Sequence, residues 1–365
     1  MVNHVDRESS FILGYIDPRY SDRISVSRDA VDQRVLSWER VLWTASTNRV
    51  LYLFSQKALE DEKLKGTKKA KVLEKIVVEG EKWRRRLRDT IAYVSTTLSD
   101  AGLPFLVVKT QSEVPHVTSD VDVLISVEDF YSATKAFSES GATMTRHIDV
   151  GLNTGEACVS HPPLLNIELH ARLNWLGLKH FDDSFVWSDM RKAAMAEVEF
   201  PVPNIEAEFL LNTAHILYKH PLLTMLDFLS MTSYADSVRD WDAILYQTKK
   251  YGWSRAFAKF MTMLGSIYMD LYRNPPNWVR TTPERRDITF PLLFSLRFVV
   301  ETLWERMSVK ALMNELTGYY AFALGRYYLS GRRRVPYYAN WFPLDKMSFT
   351  SLKNSNDLHK NNEYC

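Results

Sequence analysis

Apolar positions recur at three- and four-residue steps along most of this chain, and in one internal stretch the period changes to two. The helical period predicts a helix over about 28 to 60, where Val35, Leu36, Trp38, Val41 and Leu42 are followed by Val50, Leu51, Leu53 and Phe54. A charged connection, LEDEKLKGTKKAK with Gly66, leads to a second long helix over about 68 to 101. Its apolar stripe is Leu73, Ile76, Gly80, Trp83, Leu87, Ile91, Val94 and Leu98. After a turn at Gly102, LPFLVVKT reads as a short buried strand and SDVDVLIS as another. SVEDFYSATKAFSESG then reads as a helix capped by Ser126 with Asp129, lined by Phe130, Ala133, Thr134 and Phe137, and closed by Gly141. TMTRHIDVG, EACVSH and LLNIELHARLNW continue as strands of one mixed sheet covered by helices. From about residue 204 the pattern is helical, with breaks at Pro221, Gly252 and NPPNW. Neither SSF near the start nor SFTSLKNSNDLHKNNEYC at the end offers much to bury, and no internal repeat is present. The expected architecture is α/β (α+β), with an N-terminal helical segment at 1–66, a mixed-sheet core at 67–190, an all-helical domain at 191–345 and a disordered tail at 346–365.

Composition narrows the classes. The 365 residues are 46% hydrophobic and 25% charged, enough for two or three packed units. Lys plus Arg number 46 against 44 acids, a net charge of +2, which argues against a protein whose task is coating nucleic acid. FPLLFSLRFVV is interrupted by Arg297 and is too short to span a bilayer, so no membrane association is expected. The first residues lack the order of a signal peptide, and the two cysteines, Cys158 and Cys365, build neither a disulfide framework nor a cysteine-rich zinc site. The expected location is the cytoplasm.

The chemistry concentrates where the period is two. Asp120 and Asp122 stand one residue apart on a strand and project to the same side, with Val121, Val123 and Ile125 on the other. Such a pair is either a strand end in water or half of a cation site. LLNIELHARLNW alternates as well: Ile167, Leu169, Ala171 and Leu173 face one way, Asn166, Glu168, His170 and Arg172 the other. Four polar groups on one face of a central strand are costly unless that face opens into a polar cleft. If the two strands are neighbours, Glu168 joins the aspartates, and three carboxylates can hold two magnesium ions, one on a triphosphate and one lowering the pKa of an attacking hydroxyl.

On these residues the chain resembles the polymerase-beta-like nucleotidyltransferase superfamily, and within it a prokaryotic group described as an uncharacterised nucleotidyltransferase family. The resemblance runs from about residue 85 to 253 and rests on the order of LPFLVVK, SDVDVLI, the helix ending in ESGA, NIELHARLNW, EAEFLLNTAHILYKH, LLTMLDFLSM and RDWDAILYQTKKYGW. It implies a nucleotidyltransferase-fold sheet, two metal ions, and transfer of a nucleoside monophosphate from a nucleoside triphosphate to an acceptor hydroxyl. By position, it implies Asp120 and Asp122 as metal ligands and Glu168 as the third carboxylate. Where the subgroup often has Lys-Gly, this chain has Lys109 and Thr110. A β-branched residue restricts the backbone there and holds phosphate off. Lys109 remains as a point charge for the triphosphate, with Ser112 as a hydroxyl donor. The altered turn motivates the alternative of a non-catalytic nucleotide-binding or protein-interaction module on the same fold.

Other candidates read more plainly. His170 meets substrate or steadies the acid, or is a satisfied structural histidine; Arg172 meets phosphate at the cleft mouth or pairs with a surface acid. The arginines of WRRRLR are read as the wet side of a helix. His215 and His220, five apart with no third ligand, do not make a metal site. In DWDAI, Asp240 caps a helix and Trp241 enters the core. The stretch YYAFALGRYYLSGRRRVPYYANW, with Arg326, Arg332, Arg333 and Arg334, is read as a packed helix with a basic end, RNA binding being the weaker reading. The acceptor is a protein side chain, a tRNA end or a small molecule.

Overall fold

The computed structural model describes residues 6–21, 37–110, 114–148, 155–174, 178–218, 222–272, 276–278 and 292–293. Ser112, His220, Arg297, Cys365, the aromatic and basic stretch with Arg326 and Arg332 to Arg334, and the tail lie outside them. The chain begins with α1 (Arg7–Ile16), α2 (Pro18–Ser21), α3 (Trp38–Thr47), α4 (Leu51–Leu59), a 3-10 turn (Glu62–Leu64) and α5 (Lys68–Asp100). The sheet region follows: β1 (Phe105–Val108), β2 (Asp120–Ile125), α6 (Phe130–Glu139), β3 (Thr143–Ile148), β4 (Glu156–Ser160) and β5 (Asn166–His170). Next come α7 (Asp183–Trp187), the hairpin β6 (Arg191–Met195) and β7 (Val198–Val202), and α8 (Ile205–Tyr218). A short β8 (Leu222–Leu223), paired with β9 (Leu292–Leu293), precedes α9 (Met225–Ser237), α10 (Trp241–Lys250) and α11 (Ser254–Tyr272).

The sheet runs in the order β1-β2-β5-β4-β3, with β2 and β5 parallel and the other pairs antiparallel. This is the expected α/β class, a mixed sheet flanked by helices. Its two faces meet different cores. Phe105, Val107, Val121, Val123, Ile125, Ile167 and Leu169 pack on Leu87, Ile91, Val94 and Leu98 of α5 and on Phe130, Ala133 and Phe137 of α6. The hairpin adds Ala193, Phe200 and Val202 to this core, with β7 lying against β1. On the opposite face, Leu106, Val108 and Leu124 join a second core made by helices that precede and follow the sheet in sequence.

The alternating readings hold over Asp120–Ile125 and Asn166–His170, because burial of one face leaves the register no freedom; beyond the end of β5 the alternation lapses, and Leu173 joins the opposite core from Ile167 and Leu169. α5 begins at an N-cap where the Thr67 side chain accepts from the N–H of Ala70, and Gly102 leaves its far end with φ +67°. At 33 residues it is about 50 Å long and serves both cores, Leu73 and Ile76 in one, Leu87 to Leu98 in the other. Of its arginines, Arg85 and Arg86 are exposed, as expected, while Arg84 is half-buried over the ring of Tyr52. Ser126 and Asp129 bond reciprocally, Ser126 Oγ to Asp129 Oδ2 at 2.8 Å and Asp129 N–H to Ser126 Oγ at 3.0 Å, one turn before α6. Asp240 caps α10 and Trp241 packs edge-on to Phe209.

Two expectations are corrected. The helix predicted over about 28 to 60 is, in its described part, two helices, α3 and α4, parted at Asn48 and Arg49. Nothing in WTASTNRVLY breaks the apolar period; instead Arg49 takes φ +60° and Asn48 turns inward to bond α9. The start of the chain buries more than SSF promised: in α1, Ser9, Ile12 and Leu13 are fully enclosed. Asp6 caps that helix by accepting from the N–H of Ser9.

Candidate active site

The register of two parallel strands decides which acids meet. Asp122 lies opposite Glu168, Asp120 opposite Asn166 and Leu124 opposite His170. Asp120, Asp122, Glu168 and His170 therefore share one face, beside the apolar patch of Leu106, Val108 and Leu124 that the helical core covers. On the far side of β5, Glu156 stands opposite His170 and Cys158 opposite Glu168, which extends the polar face onto β4.

Lys109 supplies the compensating charge. It follows the last residue of β1 with φ +58°, a left-handed conformation that aims its side chain back over the site. Its ammonium stands 2.6 Å from Asp122 Oδ1, with the lysine side chain 7% and the aspartate 14% exposed. Burial alone lowers the lysine pKa, but Asp122 first, and then Glu168 and Asp120, outweigh it, so the net direction is upward and the ammonium is kept. Asp120 goes the other way from an ordinary acid: burial, with the charges of Asp122 and Glu168, pushes its carboxyl up to about 6. Lys109 and the hydroxyl of Thr118, which donates to Asp120 Oδ1 at 3.1 Å, hold it from rising further. One ammonium against three carboxylates leaves the site net negative, as a divalent cation requires.

The imidazole of His170 is almost wholly enclosed. Its Nε2 lies 2.7 Å from Asp122 Oδ1 and 3.7 Å from Glu168 Oε2, and its Nδ1 lies 3.8 Å from Glu156 Oε1. Asp122, Glu168 and His170 each offer a ligand atom within 4.8 Å of the others, a donor set fit for a metal ion.

The turn that departs from the subgroup pattern has a defined job. Thr110 is buried; its hydroxyl donates to the Val108 carbonyl at 3.1 Å and accepts the N–H of Asp122 at 3.3 Å. The threonine hydroxyl thus bridges the last residue of β1 and the backbone of Asp122. Arg172 lies two residues past the end of β5, half-buried, and Ser112 lies outside the described residues. Sequence reasoning missed Glu156 and Thr118. Both were visible as polar residues at the ends of apolar strands, but only strand order places Glu156 beside His170.

A mixed sheet that gathers carboxylates from adjacent parallel strands onto one face, beside a buried lysine, is an arrangement able to hold a cation against phosphate groups. The model of the uncharacterised nucleotidyltransferase family matches residues 35–268, and the chain belongs to that family. It is thereby a transferase by class. No curated protein matches the sequence. Among solved structures, the solution structure of the antibiotic-resistance factor ANT(2'')-Ia is similar over 47% of this chain and 94% of that one, at 10% identity and a TM-score of 0.33. Among the described residues, no helix is long and apolar enough to cross a membrane.

Proposed function

We propose that the protein transfers a nucleoside monophosphate from a nucleoside triphosphate to an acceptor hydroxyl, with divalent cations held on the face of Asp120, Asp122 and Glu168. The observation that carries this reading is the register that sets Asp122 against Glu168, with Asp120 on the same face and Lys109 buried over them. The acceptor oxygen bonds to the α-phosphorus as the bond from that phosphorus to the bridging oxygen breaks and pyrophosphate leaves. The hydroxyl proton passes to Glu168, which lies on the face of the aspartates with 39% of its side chain open, against 14% for Asp122. Cations on the aspartates supply charge neutralisation and lower the hydroxyl pKa. Lys109, Ser112 and Arg172 are the groups for the phosphates, two magnesium ions are the expected complement, and the cytoplasm is the expected location. The sheet region, which includes the β6–β7 hairpin at 191–202 as well as the expected core at 67–190, carries the chemistry, and the helices after the hairpin present the acceptor.

The test is labelling. Protein incubated with magnesium, cell extract and ATP, GTP, CTP or UTP labelled at the α-phosphate is expected to transfer label to one class of acceptor, and Asp122→Asn to reduce this by about a hundredfold or more. Equal labelling by both proteins excludes the site.

A further inference from the structure

We propose that His170 is a nitrogen ligand at one of the cation positions, so that the ion held by Asp122, Glu168 and His170 is of the manganese class, Mn2+ or Co2+, in preference to Mg2+. The inference deepens the reading above and rests on it for the presence of a cation. It concerns which chemical element the site selects.

Three features of the geometry converge on it. Ligand atoms around one first-row ion, each about 2.1 Å from the metal, stand roughly 3 to 4 Å apart. His170 Nε2 meets this spacing toward Glu168 Oε2, at 3.7 Å, while its 2.7 Å hydrogen-bond contact with Asp122 Oδ1 needs to lengthen by only a few tenths of an ångström. The second feature is Glu156, which the antiparallel register of β4 sets opposite His170, its Oε1 3.8 Å from Nδ1. A ligating imidazole needs a carboxylate or carbonyl on its other nitrogen to fix the tautomer that leaves the ligating lone pair free. Third, the imidazole is 5% exposed and comes from a central strand, so the donor is pre-set and little ordering entropy opposes binding.

The donor set then chooses the ion. Magnesium is hard, holds its waters and takes oxygen ligands, whereas a donor set of two carboxylates and one imidazole nitrogen binds first-row transition ions better than magnesium, manganese the weakest of them and cobalt tighter. On entry of the ion the single ring proton resides on Nδ1, toward Glu156, and Nε2 turns from partner of Asp122 to ligand. Lys109, which shares Asp122 Oδ1 in the cation-free protein, yields that oxygen to the metal. The second cation position, toward Asp120, stays all-oxygen and is completed by the triphosphate.

Pulsed electron paramagnetic resonance on the full chain with Mn2+ and no nucleotide reads the ligand directly. The expected spectrum carries nitrogen hyperfine coupling from imidazole. His170→Asn should abolish that coupling and weaken Mn2+ binding by about tenfold or more, and Glu156→Gln should weaken it with the coupling retained. In competition, Mg2+ should displace Mn2+ from the wild-type protein poorly and from His170→Asn readily. Bound Mn2+ without nitrogen coupling in the wild type, no Mn2+ binding, or His170→Asn binding as tightly as wild type each overturns the proposal. The wild-type spectrum alone decides if the variants fail to fold. Coupling present while no nucleoside triphosphate is turned over leaves this inference standing and removes the nucleotidyl-transfer reading.

Discussion

Lys109 meets the electrostatic cost of gathering three acids on one sheet face. It is held by a left-handed backbone and buried against Asp122, so Lys109→Met leaves an aspartate enclosed without its counter-charge. Breaking a buried pair from one side costs about 3 kcal/mol. Urea unfolding in a chelator should show a loss of that order, with part of it recovered when Mn2+ takes the lysine's place. A second residue sets a pH response. His116 is buried beside Arg49 and Arg84, and burial first, then Arg49, lowers its pKa to about 4. Its unfolded value is about 6.5, so the stability it contributes is full above that pH and is lost as pH falls toward 4, about 3 kcal/mol in all. Asp120 has the opposite sign, since a carboxyl raised to about 6 gives the fold more stability as it protonates. In metal-free protein the two oppose each other between about pH 6 and 4. Removing the histidine should unmask the acid: His116→Gln is expected to become more resistant to urea from pH 7 to pH 4.5, where the wild type stays level or weakens.

Among the elements, α5 is the one both cores depend on, and it crosses from one to the other at Gly80. A Cβ at this position would run into the ring of Tyr52, which is buried and tied to Glu81 and Gln56. Alanine improves helix propensity by about 1 kcal/mol, but overpacking a fixed ring costs about 1 to 3 kcal/mol. The expected outcome for Gly80→Ala is a lower melting temperature, measured by circular dichroism, although the same change on an exposed helix would raise it. The glycine therefore marks close approach of α4 and α5 rather than a turn.

At the scale of the whole molecule, helices that precede and follow the sheet in sequence close one core over the site side of the sheet. Asn48 joins them: fully enclosed, it accepts the N–H of Met225 at 3.1 Å and donates to the Thr44 carbonyl at 2.9 Å, while its own carbonyl accepts from Leu226 at 3.3 Å. The asparagine of an α3 terminus thus caps the start of α9. Nearby, Asp17 accepts from both Arg19 and Tyr272, so α11 is tied to the beginning of the chain as well. Asn48→Ala leaves the buried Met225 N–H without its acceptor, which costs about 2 kcal/mol. A single unfolding transition shifted to lower urea is the expected result. A variant whose midpoint in urea matches the wild type would show that the two sets of helices are not coupled through this residue.

What the sequence determined by itself is what depends on neighbours along the chain. The alternation at 120–125 and 166–170, the stripe of α5, and the cap at Asp240 are local facts of spacing and side-chain reach, and they appear in the structure as read. Asp120, Asp122, Glu168 and His170 could be named because polar residues at period two in an apolar strand are conspicuous whatever lies beside them. Tertiary structure decided the rest. The break between α3 and α4 comes from a partner 177 residues away, which no local period contains. The place of Glu156 comes from strand order, Thr110 proved to bridge the Val108 carbonyl and the Asp122 N–H, and the fit of His170 to a metal follows from a register between strands that are 46 residues apart at Asp120 and Asn166. Hydrogen-bond pairing between distant strands is fixed by the global packing of their buried faces, and that packing is the one quantity a single strand's pattern does not contain.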